Sequence, residues 1–170
     1  MDNKTTLRIK AKEIRRSINI ADMSDILVKK IRLQQYYKNA KNVLIFYPKR
    51  YEVNLLALLD DEKNFYLPKV RGEELDICPF KKDDALEISK FNVNEPCSNP
   101  VNPSCLDLVI VPALAVDKNN YRLGYGGGFY DRFLAKYPGL TTVVAIAKEL
   151  VFDKIPVQNF DVKFDFLITA

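Results

Sequence analysis

The chain has 170 residues, 48% hydrophobic and 28% charged, the make-up of one soluble globular domain able to bury a core without metal or disulfide help. It carries a net charge of +4 and no histidine, which removes the usual general base and the usual transition-metal ligand. Chemistry is left to carboxylates, Lys, Arg, Tyr, backbone amides or a hard metal ion.

The charge is uneven. Residues 1–16 hold six cations against Asp2 and Glu13, enough to account for the whole excess, and the remainder is balanced. A general nucleic-acid-coating role is therefore disfavoured. Cys78, Cys97 and Cys105 are odd in number and form no Cys-x-x-Cys pair, which reads as reduced thiols in a cytoplasmic protein. The charged N-terminus does not read as a signal peptide, and no apolar run approaches a membrane span.

Residues 3–18 have the spacing of an amphipathic helix with Leu7, Ala11, Ile14 and Ile18 on one stripe. Lys4, Arg8 and Arg15 flank that stripe, at its rim, with heads free to reach an anion or simply to face solvent. A second helix, capped by Asp22 or Ser24, is expected to run to about Tyr37, with Ile26, Leu33 and Tyr37 sharing one apolar face and Leu27 and Ile31 widening it. Val43–Tyr47 is a continuous apolar run stopped by Pro48, the pattern of a buried strand. Asn54 can cap a helical segment over Leu55–Leu59. Strands are expected at Asn64–Leu67, stopped by Pro68, and at Leu75–Phe80, with Arg71-Gly72 as a turn. Residues 81–106, with Pro96, Pro100 and Pro103, read as an irregular surface excursion. Leu108–Val111 is another apolar strand, Phe129–Tyr137 a helix ended by Pro138-Gly139, and Thr141–Ala147 a strand. Residues 152–165 read mostly as loop, and 166–169 as a last strand. Alternating strands and helices predict a single-domain layered α/β fold, Rossmann-like, with a mostly parallel sheet flanked by helices. In such sheets the ligand crevice lies beyond the carboxyl ends of the strands, so the loops 48–54, 68–69 and 112–128 can face one cleft.

Four of the six glycines fall at Gly124, Gly126, Gly127 and Gly128, just before the helix at Phe129. Glycine at that density lets successive N–H groups turn inward as an anion-binding concavity, with the helix N-terminus aimed at it. Arg122 and Arg132 supply neighbouring charge. Neither the dinucleotide nor the P-loop spacing is met. A flexible hairpin or a glycine-rich helix lead-in is the alternative.

Asp107-Leu-Val-Ile-Val-Pro112, then Asp117, Arg122-Leu-Gly-Tyr-Gly-Gly-Gly-Phe-Tyr-Asp131, Ile155-Pro156 and Asp161 resemble the 5-formyltetrahydrofolate cyclo-ligase family, also called 5,10-methenyltetrahydrofolate synthetase. Lys4-x-x-x-Arg8 and the Phe46-Tyr47-Pro48, Glu52 and Leu67-Pro68-Lys69 segments match as well, so the resemblance spans the whole chain as one domain, 1–170. It implies an ATP- and magnesium-dependent ring closure of 5-formyltetrahydrofolate to 5,10-methenyltetrahydrofolate, with ADP and phosphate released. The formyl oxygen is phosphorylated and nitrogen 10 attacks. It implies catalytic roles for Arg122, Tyr130 and Asp131. It places ATP on Lys4, Arg8 and the run Arg122, Leu123, Gly124, Tyr125, Gly126, Gly127, Gly128, Phe129 and Tyr130. It places the reduced folate on Glu52, with Phe46, Tyr47, Tyr125 and Phe129 as contacts, and magnesium near Asp131 and Asp161. Phe46, Tyr47 and Phe129 can instead be plain core, Asp131 a helix N-terminal charge, Asp161 a turn residue, and Glu52 a solvated loop charge. The implied partner is a small-molecule folate, with no nucleic acid and no membrane, for a monomer or weak dimer in the cytoplasm. A non-catalytic nucleotide- or folate-binding module is the alternative function. The chain departs from many relatives at Ala113, Asn120, Leu55, Leu150 and Phe160; Asn tolerates the left-handed backbone that a glycine at 120 would supply.

Overall fold

A computed structural model describes residues 3–170; Met1 and Asp2 lie outside them. Helix α1 (Lys4–Ser17) begins at Asn3, whose side chain accepts from the Thr6 N–H at 2.8 Å. Its stripe packs inward: Leu7 and Ala11 are buried, and Ile14 and Ile18 lie against the same cluster. Helix α2 (Ile20–Leu33) is followed by the short α3 (Gln35–Asn39) and strand β1 (Asn42–Leu44). After a 3-10 turn, Leu56–Asp60, come β2 (Asn64–Arg71) and β3 (Glu74–Pro79). A hairpin of β4 (Leu86–Ile88) and β5 (Asn94–Pro96) precedes β6 (Leu108–Ile110). Then follow β7 (Ala115–Asp117), β8 (Arg122–Leu123), α4 (Phe129–Lys136), β9 (Thr141–Ile146), β10 (Val151–Phe152) and β11 (Phe166–Thr169).

The central sheet has the order β11-β9-β6-β1-β2-β3, parallel throughout except for the antiparallel β2–β3 edge. The chain leaves β1 in two directions, to β2 on one side and later to β6 on the other. This makes the β1–β6 seam the switch point, where a crevice opens beyond the strand ends. The apolar runs are covered on both faces, and their alternate residues divide between two cores. Leu44, Val109, Val111 and Val144 join α1 and α4 on one face, whereas Val43, Ile45, Leu108 and Ile110 join α2 on the other.

Five expectations change. Asn19, not Asp22 or Ser24, caps α2: its Oδ1 accepts from the Asp22 N–H while its amide donates to the Asp22 carboxylate at 2.8 Å. The inner face is Ser24, Leu27, Val28 and Ile31, at helical spacing, so Ile26 and Leu33 turn outward. The helix breaks at Gln34, and Tyr37 is placed from α3 instead, its hydroxyl donating to Asp61 at 2.7 Å. Pro68 does not stop β2, because β1 has already ended there; the next N–H on that edge, Val70, finds no strand and donates to Glu95 Oε2 at 2.8 Å. Residues 81–106 are not wholly irregular, since they contain the β4–β5 hairpin and a bridge from Val101 to Ile77. A small three-stranded sheet, β10-β7-β8, braces the strands on either side of Asp117. The buried Asp117 carboxylate accepts from the Asn119, Tyr121 and Ile155 N–H groups, and Asn120 does adopt a left-handed φ of 64° in that turn.

Candidate active site

Beyond the ends of β1 and β6 lies a cavity of about 430 Å³. It is lined from the β1 side by Phe46, Tyr47, Lys49 and Glu52, from β2 by Pro68 and Val70, and from β6 by Pro112. Lys4 and Arg8 enter from α1, and residues 124–131 form the opposite wall with Arg122. The three loops expected to share a cleft therefore do so.

The glycine loop is shaped by conformations and contacts that only glycine accommodates freely. Gly126 (φ 109°) and Gly128 (φ 69°) are left-handed, and Gly128 is the N-cap of α4 with no side chain to occupy the first N–H groups. At Gly127 the obstacle is different: a Cβ there would lie 2.7 Å from the Phe129 ring. Arg8 Nε donates to the Gly124 carbonyl at 2.9 Å, which ties α1 to the loop. Amides, dipole and cations converge on one concavity.

Arg122 is the buried charge of this wall, its side chain 6% exposed. It faces Asp131 at 3.5 Å, donates to the Pro112 carbonyl at 3.3 Å, and leaves Nε without a partner among the described residues. Burial works against its charge, and Asp131 opposes that pressure. The Tyr130 hydroxyl is also buried without a partner, and burial holds it firmly protonated, hence able to donate. Two orphaned buried polar groups beside a cradle that a Cβ would fill fit a ligand rich in acceptor oxygens, such as a triphosphate.

The acidic positions are engaged. Asp131 Oδ1 accepts from the Val162 N–H at 3.1 Å, and Asp161 Oδ2 accepts from Lys4 Nζ at 2.5 Å and from the Gln158 N–H. Among the described residues no group of three or more Cys, Asp or Glu is arranged to hold a metal. Asp131 and Asp161 both line the cavity, and one or two carboxylates are what a magnesium ion that keeps phosphate and water ligands takes from a protein.

Glu52 is 5% exposed, not a solvated loop charge. Burial pushes its carboxyl toward the neutral form, while the Tyr125 hydroxyl, Arg15 and Lys49 pull the other way. Tyr125 lies in the glycine loop, but its hydroxyl donates to Glu52 Oε2 at 2.5 Å, so the loop and the glutamate meet directly. Arg15 departs from its expected place at the rim. It is buried, its Nη1 donates to the Tyr125 hydroxyl at 3.2 Å, and its Nη2 donates to the Ala113 carbonyl. Phe46 is buried and Tyr47 half-buried, and both also line the cavity, so they are core and wall at once. Leu55 and Leu150 are buried core residues, whereas Phe160 is exposed at the cavity edge.

A model of the 5-formyltetrahydrofolate cyclo-ligase family matches residues 1–170. The chain belongs to this family. A probable 5-formyltetrahydrofolate cyclo-ligase of Schizosaccharomyces pombe is 31% identical, over 78% of this chain and 76% of that protein. The 5-formyltetrahydrofolate cyclo-ligase of Haemophilus influenzae is 30% identical, over 77% of each. The solved 5,10-methenyltetrahydrofolate synthetase of Aquifex aeolicus superposes with a TM-score of 0.84 at 30% identity, over 98% of this chain and 89% of that one. The resemblance read from the glycine motif is thus the family, and the mostly parallel sheet is its fold.

The cavity of this cyclo-ligase family member also has a wall that sequence reasoning missed, contributed by the β4–β5 hairpin. Phe91 at its tip meets Phe129 edge-on, ring centroids 5.8 Å apart, and Glu95 anchors the hairpin to Val70. Phe91 stands alone among polar residues, and a lone aromatic in a polar loop was the available signal.

Proposed function

We propose that the chain catalyses the ATP- and magnesium-dependent cyclisation of 5-formyltetrahydrofolate to 5,10-methenyltetrahydrofolate, releasing ADP and phosphate. The observation that carries this reading is the glycine cradle with its buried, partly unpartnered Arg122, set across one cavity from the buried Glu52. ATP with magnesium supplies, when bound, the phosphoryl group that makes the formyl oxygen a leaving group for attack by nitrogen 10. The amides of residues 124–129, Arg122, Lys4 and Arg8 bind and orient the phosphates, because such transfer is mostly positioning and charge neutralisation. Asp131 and Asp161 are the carboxylates available to a divalent ion. Both now face cations, Arg122 and Lys4, which bound phosphate would draw away. Tyr130 offers a protonated hydroxyl to developing negative charge. Glu52 accepts from the pterin, and Phe46, Tyr47 and Phe129 exclude water around it. Three free cysteines, Cys78 buried and Cys97 and Cys105 exposed, support a reducing cytoplasmic setting.

The test is one coupled measurement: 5-formyltetrahydrofolate with the protein, magnesium, and either ATP or none. Methenyl-folate absorbance should rise only with ATP, in step with ADP, and Arg122→Ala should abolish it while the fold persists by circular dichroism. Tight folate binding with no ADP release would favour a non-catalytic folate-binding module instead. No binding and no turnover would overturn both.

A further inference from the structure

Arg15 is a buried guanidinium that, among the described residues, has no carboxylate in direct contact and no partner for its Nε. A buried cation without a directly paired anion is costly, so it is retained where its charge acts on something nearby. What it acts on is Tyr125. Arg15 Nη1 donates to the Tyr125 hydroxyl, and that hydroxyl in turn donates to Glu52 Oε2. Accepting from a cation makes a hydroxyl a stronger donor, so the chain Arg15, Tyr125, Glu52 is polarised in one direction. Lys49 Nζ lies over the Tyr125 ring, 4.0 Å from its centre. The groups facing Glu52 are therefore Arg15 from α1, Lys49 from its own loop, Tyr125 from the glycine loop, and Tyr130 from α4.

The chemistry at Glu52 gives this chain a purpose. A 2-amino-4-oxopyrimidine ring presents an amino group and an adjacent ring N–H, two donors side by side. A carboxylate accepts both; a protonated carboxyl turns its O–H against one of them. Burial alone would push Glu52 to the wrong form. The Tyr125 hydroxyl reaches Oε2, and among the described residues no hydrogen bond reaches Oε1.

We propose that Arg15 and Tyr125 are positioning residues that keep the Glu52 carboxylate charged and turned to receive the paired donors of the reduced folate's pyrimidine ring. This rests on the cyclo-ligase reading and adds to it the device that selects the ring. It gives Tyr125 a side-chain role on the folate side, while its loop serves the phosphates through the backbone.

The test is calorimetric titration of the full chain with 5-formyltetrahydrofolate, without nucleotide, across the acid-to-neutral range. Tyr125→Phe removes one oxygen and keeps the ring. Losing a hydrogen bond to a charged group should weaken binding roughly 10-fold near neutral pH. The sign follows from the donors: without the hydroxyl, Glu52 takes up its proton more readily, so affinity lost on acidification is lost at higher pH than in wild type. Arg15→Met should move the same limb in the same direction, and if that variant does not fold, Tyr125→Phe decides alone. A uniform loss at every pH would mean lost packing only and overturn the proposal, as would a Tyr125→Phe profile superposing on wild type. Failure of the wild-type protein to bind the folate at any pH would overturn the cyclo-ligase reading itself, and this inference with it.

Discussion

Two neighbouring glycines should fail in opposite ways. Gly128 has φ 69°, and an alanine there enters the left-handed region at a cost of about 1–2 kcal/mol. Its Cβ would also lie 2.7 Å from Arg132 Nη1, but that is the far end of a flexible side chain and moves away cheaply. For a chain of this size each kcal/mol shifts Tm by about 2–4 °C, so Gly128→Ala should melt roughly 2–8 °C lower. Gly127 is not left-handed. Its Cβ would lie 2.7 and 2.8 Å from two carbons of the Phe129 ring, which must swing aside. Moving a ring off its rotamer costs about 0.5–1.5 kcal/mol. Removing glycine from the unfolded chain returns about 0.4–1 kcal/mol. Gly127→Ala should therefore leave Tm within a few degrees of wild type. It should nonetheless cut turnover at least several-fold, because Phe129 lines the cavity and meets Phe91. Thermal unfolding by circular dichroism and ATP-dependent methenyl-folate absorbance measure the two axes. A Gly127→Ala protein that melts below Gly128→Ala, or that turns over at the wild-type rate, would refute this reasoning.

Glu52→Gln should change how stability responds to pH. Burial raises the Glu52 carboxyl from its ordinary value, so the native state holds a proton longer than the unfolded chain does. That contribution is present below the ordinary glutamate range and fades as pH rises through the raised native value; urea titrations should show the variant gaining on wild type over that window, and a parallel pH dependence would count against it. Asp131→Asn strips the buried Arg122 of its counter-charge and should cost about 3 kcal/mol. A loss of unfolding free energy under one-third of that, read from urea titration, would show that Arg122 is neutralised elsewhere. Asn120→Ala, at φ 64°, should lose about 1 kcal/mol and Asn120→Gly very little, read from paired thermal melts.

What the sequence made legible was whatever local pattern alone determines. Val43–Ile45 and Leu108–Ile110 are apolar without interruption because both faces of their sheet are covered, and the glycine loop is dense because its backbone must bend where side chains cannot. The β10-β7-β8 sheet was not legible, since strands of two or three residues show no period. The hairpin 86–96 was hidden by exposure: Ile88 faces outward, Phe91 stays half-exposed while it lines the cavity, and Pro96 looks like a strand breaker although it sits at a strand end. Arg15 was misplaced because helical periodicity sets a side chain's direction and not its neighbours. Those neighbours, Ala113 and Tyr125, come 98 and 110 residues later.

Helix α1 ties itself to the distant chain three times over, and the separations are long: Arg8 with Gly124 spans 116 positions, and Lys4 with Asp161 spans 157. During synthesis this helix waits, cations and oily stripe unsatisfied, for roughly 8–30 s while the ribosome makes what it will grip. Helix α1 can thus seat itself only after residues 113–161 have been made.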